Sequence, residues 1–199
     1  MFEIAEYIGI IAFSMSGFFV GVKNKLDLLG ILITTFLTAL GGGIMRDVTL
    51  NKIPFTFSHN YPALIVISVL LLLILFKFHQ RNSLENKALF ILSDSIGLVS
   101  FSISGALIAI ENNFNITGII AMAFLTAIGG GIARDVIINE VPFVLKTGFY
   151  GTVSILIAII LYALHTLHIS SYTNISILFF TALALRLIAY YAKWSIPLK

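Results

Sequence analysis

Seven apolar stretches, each long enough to cross a membrane, constrain this chain more than any other feature. A helix needs about 20 mostly apolar residues to span the hydrocarbon core of a bilayer. Hydrophobic residues make up 59% of the chain and charged residues 11%, against roughly 25% charged in ordinary soluble proteins. The stretches cover approximately residues 4–22, 26–50, 61–78, 88–110, 115–138, 147–167 and 173–193. They lack the alternation of barrel strands, so the sequence predicts an all-α integral membrane protein of seven transmembrane helices.

The residue types needed for catalysis or metal binding are not arranged for it in this sequence. The chain has no cysteine, which excludes disulfides, thiolate metal sites and cysteine nucleophiles. His165 and His168 lie near a helix end without a second group of ligands, and no phosphate-binding loop is recognisable. The net charge of +3 comes from lysines spread through the loops. We therefore expect no enzyme activity, no cofactor, no metal site and no nucleic-acid partner.

An internal duplication relates residues that lie 88 positions apart. The segment Ala39–Val48, ALGGGIMRDV, returns at Ala127–Val136 as AIGGGIARDV. Upstream of it, Phe13–Gly17 returns as Phe101–Gly105. Shared apolar composition does not place identical glycines and Arg-Asp pairs in the same register, so the pattern indicates a true repeat.

Each copy of the repeat contains three predicted helices, and this odd number determines how the copies are oriented. The second copy must enter the membrane from the opposite side, which gives an inverted repeat about an axis in the membrane plane. The predicted units are residues 1–87 and 88–170. Residues 171–199 form the seventh helix and the C-terminus, outside the duplication.

The distribution of basic residues between the loops predicts the orientation of the chain. Short cytoplasmic loops carry an excess of Lys and Arg. On the N-terminal side the sequence has only Lys52, plus Arg46 if that residue is counted as a loop. The side of the C-terminus holds Lys23, Lys25, Lys77, Arg81, Lys87, Lys146, Lys193 and Lys199. We therefore expect a multi-pass protein of the cell (inner) membrane with its N-terminus outside and its C-terminus in the cytoplasm.

Three consecutive glycines occur in the middle of the second and fifth predicted helices. Glycine costs roughly 1 kcal/mol relative to alanine inside a helix, so a triplet should unwind or kink it. Unwound backbone at membrane depth is tolerated where it lines a wet cavity, while small residues also allow neighbouring helices to pack closely. The repetition at equivalent positions favours a functional break. The residues concerned are Gly41, Gly42, Gly43, Gly129, Gly130 and Gly131.

An Arg-Asp pair follows each glycine triplet, and charges at this depth are usually paired or functional. Arg46 is expected toward the outer face and Arg134 toward the inner face, because their helices run in opposite directions. Glu6 and its repeat equivalent Asp94 start their helices at matching depths. We predict that Arg46 pairs with Glu6 or Asp47, and that Arg134 pairs with Asp94 or Asp135. A salt bridge that only holds a bend remains the alternative.

Hydroxyl side chains on the same predicted helices are candidates for a polar pore lining. Hydroxyls can replace part of the water shell of an ion, although they can also hydrogen-bond their own helix backbone. Arg186, on the seventh helix, is about 10 Å from the interfacial Lys193, so it could extend its charge to the membrane surface. The candidate lining residues are Ser14, Ser16, Thr38, Ser102, Ser104 and Thr126.

The tandem Gly-Gly-Gly-x-x-Arg-Asp motif resembles that of the prokaryotic trimeric intracellular cation (TRIC) channels. The motif occupies Gly41–Asp47 and Gly129–Asp135, and the similarity covers nearly the whole chain. The resemblance implies a homotrimer in the lipid bilayer with one pore in each protomer, kinked at the second and fifth helices. It also implies permeation of monovalent cations, chiefly potassium.

Two functions therefore follow from the sequence. The first is a passive cation channel with pore walls from the first, second, fourth and fifth helices. The second is a secondary transporter of a small zwitterion such as glycine, because broken helices in inverted repeats also occur in transporters. The same tandem domain is also described as a glycine transporter. A structural protein with no permeant species is a weaker third reading.

Overall fold

Seven long helices and two single-turn helices make up the chain in its computed structural model, which describes residues 2–80, 83–147 and 149–194. The single-turn helices are α3 (Phe55–Ser58) and α7 (Phe143–Lys146), and a short 3₁₀ turn covers Phe78–Gln80. The long helices are α1 (Phe2–Lys23), α2 (Leu28–Thr49), α4 (Tyr61–Leu75), α5 (Ser83–Glu111), α6 (Ile116–Ile137), α8 (Tyr150–Thr166) and α9 (Tyr172–Tyr191).

Five of the long helices are long and apolar enough to cross a membrane: α1, α2, most of α5, α6 and α9. The apolar helices α4 and α8 are shorter, with 15 and 17 residues. Each predicted apolar stretch overlaps one of these seven long helices. The boundaries differ most at α5, which begins earlier than expected, and at α4, which ends earlier.

The ends of equivalent helices are built from the same local structures in both copies of the repeat. The Asp27 side chain caps α2 by accepting a hydrogen bond from the Gly30 amide at 2.8 Å. Asn115 caps α6 in the same way, with the Gly118 amide at 2.9 Å. Asp and Asn are favoured at this position because their oxygens satisfy a free amide of the first turn. After α2 and α6, Pro54 and Pro142 begin the single-turn helices α3 and α7.

Helices α1, α2, α5 and α6 form the centre of the bundle. Helix α1 packs against α5 and α2, while α6 packs against α5 and α2. Helix α4 lies against α1, and α8 and α9 lie against α5. In the centre, the rings of Phe13 and Phe101 stack with centroids 5.3 Å apart, although these residues occupy the same position of the repeat. A contact between equivalent residues indicates a local two-fold relation between the two copies.

The predicted break in the second and fifth helices is wrong. Helices α2 and α6 continue as α-helix through Gly41–Gly43 and Gly129–Gly131, and no glycine of the described residues has a positive φ. The glycines instead allow the two helices to meet backbone to backbone. A Cβ on Gly130 would lie 2.5 Å from the carbonyl oxygen of Thr38, and one on Gly42 would overlap that of Thr126. Close packing of small residues, the alternative reading, therefore accounts for the first two glycines of each triplet.

Candidate functional site

A buried charged cluster lies at the end of α2. Arg46 is only 2% exposed, and its Nε donates to Asp47 Oδ1 at 2.8 Å. Its Nη2 donates to Glu6 Oε1 of α1 at 3.0 Å, and its Nη1 donates to Ser104 Oγ of α5 at 3.2 Å. Arg46 thus contacts both carboxylates that were predicted as its partners. All three of its nitrogens have an acceptor, as a buried guanidinium requires.

The equivalent cluster at the end of α6 is paired differently. Arg134 Nε donates to Asp135 Oδ1 at 2.8 Å, in the same geometry as the first cluster. Its Nη1 faces Ser16 Oγ at 3.4 Å and Thr38 Oγ1 at 3.5 Å, which are long contacts. Asp94, the equivalent of Glu6, accepts from Ser16 Oγ at 3.2 Å instead of pairing with Arg134. Of the two predicted partners of Arg134, the structure brings only Asp135 into contact.

The aspartates of both clusters also hold the chain after the helix. Asp47 Oδ2 accepts a hydrogen bond from the Phe55 amide at 2.9 Å. Asp135 Oδ2 accepts one from the Phe143 amide at 2.7 Å. Each aspartate therefore joins its arginine to the first residue of α3 or α7, which gives it a structural role in addition to charge pairing.

The six predicted hydroxyls are all buried, but they do different things. Ser16 and Ser104 each contact charged side chains across the repeat: Ser104 accepts from Arg46, and Ser16 lies between Asp94 and Arg134. The other four donate to the carbonyl four residues earlier in their own helix, at 2.6–2.7 Å. These are Ser14, Thr38, Ser102 and Thr126.

Arg186 of α9 belongs to the buried polar residues, which the sequence did not indicate. Its side chain is 0% exposed, so it does not extend to the membrane surface as one reading had suggested. The guanidinium carbon lies 4.6 Å from the ring centroid of Tyr150 and 5.7 Å from that of Tyr190. Tyr190 is one helical turn after Arg186, which is the only signal in the sequence for this stacking.

A cavity of about 680 Å³ opens at one end of the bundle. Its walls include Lys23 at the end of α1, Lys25 from the loop after α1, Lys87 from α5, and Lys146 from α7. The buried Arg134 and Asp135 also line it, but neither glycine triplet does. The cavity therefore leads from the most basic loops to the second charged cluster. On its rim the Lys146 ammonium donates to Glu140 at 3.1 Å, and this hydrogen bond lowers the pKa of Glu140.

Comparison with known proteins assigns this architecture to a family. The family model described as "Glycine transporter" matches the chain twice, over residues 3–79 and 91–166. The membrane protein YvgT of Bacillus subtilis is 34% identical over 98% of this chain and 95% of its own length. The inner membrane protein YadS of Escherichia coli is 31% identical over 76% of this chain and 72% of its own length.

Solved structures of TRIC channels are similar to this chain over nearly its full length. A TRIC cation channel superposes with a TM-score of 0.84 at 34% identity, covering 100% of this chain and 97% of that one. The chain belongs to the TRIC family. The TRIC channel orthologue from Rhodobacter sphaeroides has a TM-score of 0.88 at 25% identity, over 97% of this chain and 98% of that one.

Membership of the TRIC family identifies this chain as a multi-pass membrane protein, in agreement with its apolar helices. The relatives are membrane proteins and channels, which agrees with the predicted lack of enzyme activity. In this TRIC-family chain the charged clusters lie on the central helices of the bundle, α1 and α2 from the first copy of the repeat and α5 and α6 from the second. Buried arginines with incomplete pairing attract ions or ordered water, so the arrangement suits passage or binding of charged species rather than bond chemistry.

Proposed function

We propose that this protein is a potassium-permeable channel for monovalent cations, with one conduction path in each protomer of a homotrimer. The observation that carries the proposal is the full-length likeness to solved TRIC cation channels, at a TM-score of 0.84 and 34% identity. The path runs along α1, α2, α5 and α6, from the basic cavity past Arg134 and Asp135 toward Arg46 and Asp47. Ser16 and Ser104 supply hydroxyls beside these charges.

The proposed topology has seven membrane-spanning helices, of which the first six form an inverted repeat and the seventh lies outside it. The units are residues 1–87 and 88–170, followed by 171–199 with the last helix. Reciprocal contacts support this arrangement: Arg46 reaches Ser104, and its equivalent Arg134 reaches Ser16, the equivalent of Ser104. Such exchange is what a two-fold axis between the copies produces. The N-terminus is outside and the C-terminus cytoplasmic.

Transport of glycine is the second candidate, and it rests on the description of the family model. A channel passes ions down their gradient without saturation at low concentration, whereas a transporter moves a fixed number of molecules per alternating-access cycle, so its rate saturates. The two functions therefore differ in their flux.

Flux measurements in liposomes that contain the purified protein test the proposal. We expect potassium efflux that grows with the imposed gradient, and no uptake of labelled glycine above the level of protein-free liposomes. The matched control is the same protein with Arg46 and Asp47 changed together to Gln and Asn, which removes two of the three charges of the first cluster and leaves Glu6. Saturable glycine uptake without potassium flux would replace the channel by the transporter.

A further inference from the structure

The two charged clusters differ in net charge, although they occupy equivalent positions of the repeat. The first contains one base, Arg46, and two acids, Glu6 and Asp47, so its formal charge is −1. The second contains the equivalents Arg134, Asp94 and Asp135. Its additional member is Arg186, which comes from α9 and has no equivalent in the first copy.

The acid of α5 is left with an unsatisfied oxygen. Asp94 is 3% exposed, and its Oδ1 accepts the long hydrogen bond from Ser16. Its Oδ2 is buried without a hydrogen-bond partner. Aspartate is one methylene shorter than the glutamate at the equivalent position, so it does not reach the arginine as Glu6 does. A buried carboxylate oxygen without a partner is costly unless another charge compensates it.

Arg186 is a second buried base that interacts electrostatically with this carboxyl group, after Arg134. Its Nε, Nη1 and Nη2 are all buried without a hydrogen-bond partner, and the guanidinium is stacked on Tyr150. Asp94 interacts electrostatically with Arg186 and with Arg134, and the Tyr150 hydroxyl approaches the same carboxyl group. A buried water that hydrogen-bonds both groups would satisfy these unpartnered polar atoms.

We propose that Arg186 is a selectivity-determining residue, whose guanidinium neutralises Asp94 across a water-bridged gap. It removes from the second cluster the surplus negative charge that the first cluster retains. The inference rests on the proposed channel function, because it concerns the charge beside the conduction path. It makes α9, which lies outside the repeat, responsible for a charge difference between the two ends of the path.

The charge balance predicts opposite effects for the two members of the pair. In Arg186→Gln, Asp94 becomes an uncompensated carboxylate, so cations are favoured over anions. In Asp94→Asn, the two arginines of the cluster face only Asp135, so cations are disfavoured. The double variant has the formal charge of the wild type. By Coulomb's law, a unit charge changes the occupancy of an ion about 10 Å away on the order of tenfold at low salt, and less as salt increases.

The experiment is the reversal potential of the full-length protein in planar bilayers under a potassium chloride gradient. We expect the potassium-to-chloride permeability ratio to increase in Arg186→Gln, to decrease in Asp94→Asn and to return near the wild-type value in the double variant. Arg186→Lys keeps the charge and should retain the wild-type ratio. Lys52→Gln removes an exposed positive charge far from this pair and should change the ratio less than twofold.

Outcomes that would overturn the inference can be separated from failure of the channel itself. A folded Arg186→Gln protein with the wild-type permeability ratio would mean that the arginine only joins α9 to Tyr150. If Arg186→Gln does not fold in detergent, Asp94→Asn decides, because an unchanged ratio in that variant would also overturn the inference. A wild-type protein that passes no potassium overturns the proposed function and this selectivity role together.

Discussion

At the scale of the residue, Arg46 and Arg134 are each held by the aspartate that follows them, and these pairs are buried, unlike the ion pair between Lys146 and Glu140. Arg134 and Asp135 are 1% and 5% exposed, whereas the side chains of Lys146 and Glu140 are 49% and 44% exposed. Exposed pairs contribute little to stability because water and salt screen them. Removing one member of a buried pair leaves the other charge without compensation, which typically costs about 3–5 kcal/mol.

We therefore predict that Arg134→Ala lowers the thermal unfolding temperature of the detergent-solubilised protein strongly, whereas Lys146→Gln barely changes it. The double variant Arg134→Gln with Asp135→Asn should recover part of the loss, since Asn retains the oxygen that accepts from the Phe143 amide. Potassium conductance of the recovered protein should still differ from that of the wild type. Unaltered permeation in a stable double variant would mean that Arg134 and Asp135 have only a structural role.

Sequence reasoning identified the partners of Arg46 but only one contact of Arg134, and the reason is local. Depth in the membrane follows from helix order, so Glu6 and Asp94 could both be placed near an arginine. Whether a carboxylate reaches its arginine depends on one methylene and on competing hydroxyls such as Ser16. The burial of Arg186 was not predicted, because its neighbour Tyr150 lies on another helix and the sequence does not show that the two helices are in contact there.

At the scale of the element, the glycine triplets show that contact between helices can outweigh helix propensity. Considered within one helix, three glycines predict an unwound turn. In the folded protein the first two glycines of each triplet lie where α2 and α6 cross, and atoms of the other helix occupy the space that their side chains would need. The sequence showed that the triplets are repeated, but not that the two copies contact each other.

Neighbouring glycines of one triplet give a matched test of this packing. A Cβ on Gly42 would overlap the carbonyl oxygen of Thr126, whereas one on Gly43 would have its nearest atoms, from Glu6 and Arg46, at 3.7 and 3.9 Å. Gly42→Ala should therefore lower the unfolding temperature. Gly43→Ala should be neutral or stabilising, because alanine is favoured over glycine in a helix by about 1 kcal/mol. Equal effects of the two substitutions in thermal melts would contradict close packing at Gly42.

At the scale of the whole molecule, the basic loops are gathered at one end although they are far apart in the sequence. Lysines from the loop after α1, from α5 and from α7 line the same cavity. The turns after α2 and α5 form a second group of loops. They are joined by a hydrogen bond from the Lys52 ammonium to Asn112 at 3.1 Å. Counting helices along the sequence predicted both groupings, because each crossing reverses the side. Arg81 and Lys199, counted with the basic side, lie outside the described residues.

The absence of cysteine from the sequence allows this orientation to be tested with single introduced thiols. Lys25 and Lys52 are both exposed, and each follows a central helix, α1 or α2, so they form a matched pair on opposite sides. The excess of basic residues predicts that Lys25 lies in the cytoplasm. In intact cells, a membrane-impermeant maleimide should label Lys52→Cys and spare Lys25→Cys, which should react only after permeabilisation. Labelling of Lys25→Cys alone in intact cells would reverse the orientation, and with it the assignment of the basic cavity to the cytoplasmic end of the path.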